Sequence, residues 1–546
     1  MASDIDELFP FDEFRGKQKL VIEACIDALY KEGYDNVVID APVGAGKSAI
    51  NMTLLKKASN GFYTTPSKAL RQQLMADDVL SKEFVGLKAR RDYTCGITGQ
   101  NCEDCDINQS SEQSCAEQGP KCTYWSNKMS AINSDIAAVT FSYLIVDNML
   151  PESNGDTPVS FGNREMEVVD EAQNLDLQTA SLHAGYKISP FSLPRSVFTG
   201  ATESADLEAN SYEDVKNEVG TIYARAKDYA RDIPQMEMEP AEKKCVQLAE
   251  KIEWMKDEID RGNHWVADVE RTKYGGSYVK TIELQPVNVS SFLKNNIWSR
   301  ASKRIISTAT LPYRDMPEIW LRKVGLDPEN TQVISVGMRF PVENRPIHTE
   351  HMVASMSSKG DQKNWDSIME KMNELAQNHY GTKGLVHTAS YARAKKIAKT
   401  ASSKEHPYLD NNIYVHDQKE DPEVEVEKWQ NSDRDIFLSP SMMEGVDLKD
   451  DMCRWQVLLK VPYPAMDSRT EYIVNNQKYG WVEYKERAMI RVVQSYGRAV
   501  RSDTDYADYY VLDKDFNDLM NERSAPEWFE EAIGMPSVSD NSVFDY

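Results

Sequence analysis

Val37-Val38-Ile39-Asp40-Ala41-Pro42-Val43-Gly44-Ala45-Gly46-Lys47-Ser48 is the stretch on which the reading of the fold turns. Three apolar, β-branched residues suit a strand, Pro42 and the glycines suit a turn, and Lys47 opens a helix. Gly44 and Gly46 let backbone N–H groups close on phosphate, with Ala45 between them. Lys47 reaches the β and γ oxygens, and Ser48 can ligate Mg²⁺ at the positive end of the helix. The first position of this phosphate loop is Ala41 rather than glycine. A ligand-free glycine-rich turn is the bland alternative, and the strand-to-helix context weighs against it.

Outward from this loop, short apolar runs recur, each followed by a turn or helix-like segment: Phe62-Tyr63-Thr64, Ala137-Ala138-Val139, Met166 to Val169 and Ile305-Ile306-Ser307. A second series follows: Gly384 to His387, Ile413-Tyr414-Val415, Ile436-Phe437-Leu438, Val457-Leu458-Leu459 and Tyr509 to Leu512. The alternation predicts two α/β layers in tandem, each a mostly parallel sheet, with a cleft between them. Asp170-Glu171 closes the strand Met166 to Val169, at the edge of a parallel sheet that faces a nucleotide. There Asp170 would hold Mg²⁺ through water and Glu171 would polarise the attacking water. An isolated Asp-Glu pair is usually solvated surface; its place after a buried strand, downstream of a phosphate loop, favours the site. Hydrolysis also needs positive charge at the γ-phosphate. In the second layer, Arg498 and Arg501 stand three apart, on neighbouring faces of a predicted helix, and are the expected arginine fingers. For such a pair taken alone, a surface ion pair is the default.

At 546 residues the chain is too long for one core, and its size predicts roughly three to four domains. The formal charge of −24 argues against coating nucleic acid through bulk positive charge, and leaves room for a local basic channel. No stretch is long and apolar enough to span a bilayer, and Met1 to Pro10 is acidic where a signal peptide is positive. A cytoplasmic protein with no membrane partner is expected. Of eight cysteines, five cluster: Cys95, Cys102, Cys105, Cys115 and Cys122. The polar segment around them, Arg90 to Tyr124, could not bury a core without cross-links, so it reads as metal binding. Cys102-x-x-Cys105 can put two sulfurs on one metal, and the spacing alone allows zinc as well as iron-sulfur. Cys25, Cys245 and Cys453 read as packing residues. A second polar stretch, Tyr186 to Tyr278, has helical periodicity. Val219, Ile222, Tyr223, Ala226 and Tyr229 share one face, and Leu248, Ile252, Met255 and Ile259 another. A helical hairpin packed on itself is favoured there over a partner-binding coiled coil. The tail after Ala525 is expected to be loose.

These pieces, in this order, resemble the XPD/DinG group of superfamily 2 DNA helicases. Phe14-Arg15-x-x-Gln18 resembles the adenine-reading motif, Ala41 to Ser48 motif I, Thr64-Thr65-Pro66 motif Ia, and Val168 to Leu175 motif II. Ser307-Thr308-Ala309-Thr310-Leu311 is similar to motif III, Gly384 to Thr388 to motif IV, Glu444-Gly445-Val446-Asp447-Leu448 to motif V, and Gln494 to Arg501 to motif VI. Arg90-Arg91-Asp92-Tyr93-Thr94-Cys95 and Cys122-Thr123-Tyr124 are similar to the entry and exit of the family's iron-sulfur domain. Two departures stand out. Gln173 replaces the histidine of the usual Asp-Glu-Ala-His, and no exonuclease segment precedes the phosphate loop, so no nuclease is expected.

The resemblance implies two tandem RecA-like P-loop domains with an iron-sulfur insertion and a helical arch insertion in the first. The divisions expected are 1–89, first domain with the phosphate loop; 90–125, iron-sulfur insertion; 126–185, first domain with the Asp-Glu box; 186–278, arch; 279–325, end of the first domain; and 326–546, second domain. It implies ATP, Mg²⁺ and a [4Fe-4S] cluster as cofactors. The cluster would be held by Cys95, Cys102, Cys105 and Cys122, with Cys115 as alternate to Cys105. Lys47, Asp170, Glu171, Gln494, Arg498 and Arg501 would be catalytic. Arg15, Gln18, the loop Gly44 to Ser48 and Asp447 would hold the nucleotide. Arg90, Arg91, Thr65, Tyr124 and Glu444 would touch DNA, with Trp125 beside them. The implied activity is 5′ to 3′ translocation and unwinding, by a monomer, on single-stranded and forked DNA with replication or repair proteins. Its rivals are a DNA-stimulated remodeller that does not unwind and an RNA helicase.

Overall fold

The strand before the phosphate loop, β1 (Asn36–Asp40), lies inside a seven-stranded sheet. The computed structural model describes residues 2–102, 105, 121–148, 153–154, 157–158, 160–189, 191, 193–198, 211–231, 233, 238, 240–274, 277–356, 358–402, 405–440, 448–522 and 524–537. The other strands are β2 (Gly61–Thr65), β3 (Val85–Gly86), β4 (Ile136–Thr140), β7 (Arg164–Val169), β11 (Ala301–Thr308) and β12 (Thr331–Ser335). Their spatial order is β12-β1-β11-β7-β2-β4-β3, and every pairing is parallel. Val37, Ile39, Tyr63, Met166, Val168 and Ile305 join the core on one face, while Val38, Phe62, Val169 and Ile306 fill the other. This is the two-residue period of a strand with both faces covered, which is why these strands read as unbroken apolar runs. Two short strands, β5 (Ser153–Asn154) and β6 (Thr157–Pro158), pair only with each other.

A second sheet has six strands: β13 (Ile347–His348), β14 (Gly384–His387), β15 (Ile413–Val415), β16 (Ile436–Ser439), β17 (Trp455–Leu458) and β18 (Asp508–Val511). Its order is β13-β18-β17-β14-β16-β15, again all parallel. The two parallel sheets resemble tandem RecA-like helicase domains. Every apolar run picked out in the sequence lies in one of them; the strands it did not single out, β3, β12 and β13, are short or only partly buried.

The stretch read as a helical insertion differs in composition from the expectation. The helices Tyr212–Tyr229 and Pro240–Asp260 pack together, with Val219, Ile222 and Ala226 buried against Ile252 and Met255. They rest on an antiparallel sheet of β8 (Tyr186–Ile188), β9 (Trp265–Tyr274) and β10 (Ser277–Pro286), in the order β8-β10-β9. Trp265, Ala267, Ile282 and Leu284 face the helices, whereas Val266, with Val287, packs against Ile473 on the helix Ser468–Asn476 that follows β17. Charged residues such as Asp268, Glu270 and Glu283 between these positions hid the hairpin from a helical reading. The contact with Ser468–Asn476 is also polar. His264 stacks on Tyr472 at 3.9 Å, Ser468 Oγ donates to Asp268 at 2.7 Å, and Arg469 donates to the Pro286 and Val287 carbonyls.

The tail is packed as far as it is described. Trp528 and Phe529 are buried beside Tyr496 and Phe516, and the Trp528 carbonyl accepts from Arg345. Two aromatic residues outweigh the acidic composition that suggested looseness. Among the described residues no helix is long and apolar enough to cross a membrane.

Candidate active site

β1 ends at the phosphate loop because its register to β11 pairs Asp40 with Thr308 and leaves the next residues outside the ladder, Ala41 N–H still donating to Thr308. Gly44 and Gly46 have φ of 80° and 76°, the left-handed region that glycine enters at little cost. Both also lack room: a Cβ on Gly44 would lie 2.4 Å from the Phe340 ring, and one on Gly46 2.1 Å from Gln18 Nε2. Gln18 Nε2 donates to the Gly46 carbonyl at 3.3 Å, and Arg15 N–H donates to Gln18 Oε1 at 2.7 Å. Of the two residues expected to read adenine, Gln18 thus meets the loop directly and Arg15 meets Gln18. Lys47, at the start of the helix Lys47–Lys57, donates to the Ala41 carbonyl at 3.2 Å and lies 3.3 Å from Glu171. Ser48 hydrogen-bonds the Tyr63 hydroxyl, which donates to Asp170 at 2.8 Å.

Asp170 and Glu171 follow β7, so the sheet order brings them beside the loop. Glu171 takes a φ of 51°, rare for a residue with a side chain. Burial and the neighbouring Glu171 charge push Asp170 up to about 6, against the pull of Lys47. Burial would lift Glu171 too, but Lys47, the Gln173 amide and Arg498 outweigh it and hold it below its ordinary value. Gln173 links two motifs: its Nε2 donates to Glu171 at 2.9 Å, and its Oε1 accepts from Thr308 at 3.1 Å. An amide can donate and accept at once, so the substitution for histidine keeps a path between the Asp-Glu box and Ser307-Leu311.

Several partners at the site were not singled out in the sequence. Ser307 donates to Asn51, which donates to Tyr63. Asp40 is buried and accepts from Leu311 N–H at 3.1 Å and Ser335, with Arg314 at 2.7 Å. A polar residue inside an apolar run, as at Asp40 and Tyr63, was the one available cue.

From the second sheet come Gln494 and Arg498. The helix Gly480–Tyr496 stops before both arginines, so they do not share a helix as expected. Arg498 lies in the turn beyond it, is 9 % exposed, and is close enough to lower Glu171. Gly497 beside it sits on the loop, where an added Cβ would be 3.1 Å from Val43. Gln494 is buried, and its Oε1 accepts no hydrogen bond. Arg501 donates its backbone N–H to Asp505. Glu444 and Asp447 lie outside the described residues.

The cysteine segment docks on the first sheet, since Cys102 and Cys122 belong to its core cluster with Tyr124 and Trp125. Cys95 N–H donates to the Gln100 carbonyl and Cys102 N–H to the Tyr93 carbonyl, folding a tight turn between the two cysteines. Gly96 lies against the Lys121 carbonyl, where a Cβ would be 2.8 Å away, which brings Cys95 to Cys122. The Cys95 and Cys105 thiols hydrogen-bond, and Thr98 Oγ1 is 3.7 Å from Cys105 Sγ. Burial, followed by the charges of Cys122, Cys105 and Cys95, raises Cys102 to about 11 against the pull of Arg90. Four buried thiols therefore converge, although among the described residues no three His, Cys, Asp or Glu side chains close to metal-binding distance. Cys115 lies outside the described residues. Arg91 is exposed, and Arg90 lies over the Tyr124 ring at 4.6 Å. Tyr124, expected to touch DNA, is 1 % exposed and bonds the Tyr143 hydroxyl, so it is a packing residue, as is Trp125. Thr65 is buried at the end of β2 and donates to the Ser67 carbonyl.

The helicase C-terminal domain family matches residues 332–532, the part that holds the second sheet. The ATP-dependent DNA helicase DinG of Photobacterium profundum is 23% identical over 253 residues, 44% of this chain and 35% of that protein. The ATP-dependent DNA helicase CHL1 of Saccharomyces cerevisiae is 29% identical over 113 residues, 18% of this chain and 13% of that protein. The matches thus span about a third or less of these relatives. An XPD helicase structure superposes with a TM-score of 0.58 at 15% identity, over 94% of this chain and 99% of that one. S. tokodaii Xpd4 gives 0.58 at 15%, over 95% and 99%. The chain thus carries a helicase C-terminal domain over residues 332–532. In fold it is similar to the XPD helicases, and in part of its sequence to DinG and CHL1.

Proposed function

We propose that this chain is an ATP-driven DNA helicase that moves 5′ to 3′ on a single strand and separates duplexes. The observation that carries the reading is the meeting of Lys47, Asp170 and Glu171 from the first sheet with Arg498 from the second, on one loop. Supporting it, the similar DinG and CHL1 proteins are named ATP-dependent DNA helicases. Lys47, now paired with Glu171, would move to the phosphates, freeing Glu171 to polarise water while Asp170 and Ser48 hold Mg²⁺. Arg498 would stabilise charge on the γ-phosphate, with Gln494 beside it and Arg501 in support. Gln18 and Arg15 would read the base. Domain closure around ATP and reopening after hydrolysis would drive the strand along, gripped near Thr65, Glu444, Arg90 and Arg91.

The divisions stated for the sequence serve as domains in this reading, with 90–125 as the iron-sulfur insertion and 186–278 as the arch. The second extends through β10 to Pro286. Cys95, Cys102, Cys105 and Cys122, buried thiols that lie near one another, would hold a [4Fe-4S] cluster, Cys115 being the alternate to Cys105. Bound there, it would cross-link a polar segment that has little core of its own. The decisive experiment is strand displacement by anaerobically purified protein, with ATP, on matched duplexes bearing a 5′ or a 3′ single-stranded tail. Unwinding from the 5′ tail alone is expected. ATPase stimulated by DNA with no unwinding from either tail would replace the helicase with a remodeller, and stimulation by RNA in preference to DNA would replace the substrate.

A further inference from the structure

Away from the phosphate loop, a dense set of buried charges lies where the helix Gly480–Tyr496 meets loops of the first sheet. Glu483, Arg487 and Gln494 are spaced by four and seven residues and so share one helical face. Arg487 is 5 % exposed. Its Nη1 donates to the Gln173 carbonyl at 3.1 Å, and its Nη2 bonds the Asp176 carboxylate and lies 3.5 Å from Glu483. Glu483 in turn accepts from the Tyr313 hydroxyl at 3.0 Å and from Lys323. Gln173 and Asp176 follow the Asp170-Glu171 box, and Tyr313 follows Ser307-Leu311. One face of one second-domain helix therefore holds the chain just after both motifs.

A buried ion pair is a weak source of stability, because desolvation offsets much of the attraction, so its use is to fix an arrangement. The atom fixed here is the carbonyl of the residue whose amide orients Glu171 and touches Thr308. We propose that Arg487 is a positioning residue: from the second domain it sets Gln173, and through Gln173 the Glu171 carboxylate. The carboxylate is then aligned when the helix bearing Gln494 is docked. This rests on the reading of Glu171 as the group that polarises water for ATP hydrolysis.

The test is steady-state ATPase of the full chain with single-stranded DNA, beside the affinity of a fluorescent non-hydrolysable ATP analogue. The proteins are the wild type, Arg487→Ala, Arg487→Lys, Asp176→Asn and the double variant Arg487→Ala/Asp176→Asn. Arg487→Ala is expected to lower kcat about 100-fold, the scale of a small misplacement of a reacting group. KM for ATP and analogue affinity should stay within about threefold, the mark of an interaction used in the transition state alone. Arg487→Lys, which cannot reach both Gln173 and Asp176, should recover part of the rate. Asp176→Asn should lower kcat about tenfold, and the double variant should be little worse than Arg487→Ala, since the two act through one link. A kcat within about threefold of wild type in Arg487→Ala, kcat and affinity falling together, or additive effects would overturn the positioning role. Should Arg487→Ala not fold, unchanged kcat in both Arg487→Lys and Asp176→Asn would overturn it. A wild-type chain that hydrolyses no ATP would overturn the ATPase reading itself.

Discussion

Lys47 bonds the Ala41 carbonyl and pairs with Glu171, and both lie in the site it would serve. Replacing it should therefore silence chemistry with little disturbance elsewhere. Lys47→Ala is expected to abolish ATPase activity while single-stranded DNA binding, read by fluorescence anisotropy, stays near wild type. Glu167 is a different case. It is fully buried in β7, and burial pushes it up to about 8 against the pull of Arg304, Arg300 and Thr64. Between about 4.5 and about 8 the folded chain keeps a proton on Glu167 that the unfolded chain has released, so stability falls as pH rises through that window. Glu167→Gln should remove this slope, gaining at least ~1 kcal/mol on wild type at pH 8.5 relative to pH 5 in urea denaturation. Residues with a local motif, such as Gly44, Lys47 and Glu171, were legible in the sequence. Asp40, Tyr63 and Arg487 were not, because their partners are set by sheet order and by the meeting of two domains.

The parallel strands were readable element by element, since burial on both faces leaves an apolar run with few rivals. β9 and β10 were not. Each turns one face to the insertion's helices and the other to Ser468–Asn476, and the interleaved charges dilute the strand period. The cysteine turn lies between these extremes: its spacing suggested a ligand set, and the fold buries Cys95, Cys102, Cys105 and Cys122 near one another, whereas the proposed metal is not written in spacing. Anaerobically purified wild-type protein is expected to carry iron and acid-labile sulfide. Cys102→Ser should lose most of both, as measured by metal analysis and near-visible absorbance. Stoichiometric zinc in place of iron would reassign the site.

At the scale of the molecule, the unit of β8, β9, β10 and their two helices follows β7 in the chain, yet its hairpin leans on the helix Ser468–Asn476 after β17, through His264 on Tyr472 and Asp268 on Ser468. Any movement of that helix away from the hairpin would have to break this contact. Tyr472→Ala should weaken it, raising hydrogen exchange at the amides of Val266 and Ala267 while those of β1 and β7 keep their protection. A DNA-stimulated ATPase that survives this change with strand displacement reduced would assign the insertion to separating strands.

Phe340, from the chain entering the second domain, lies so close to Gly44 that no side chain fits between them. If the loop holds ATP as proposed, Phe340 would stand over its phosphates, and product release would wait on the parting of Phe340 and Gly44. The dwell time of ADP on the protein would then time that opening.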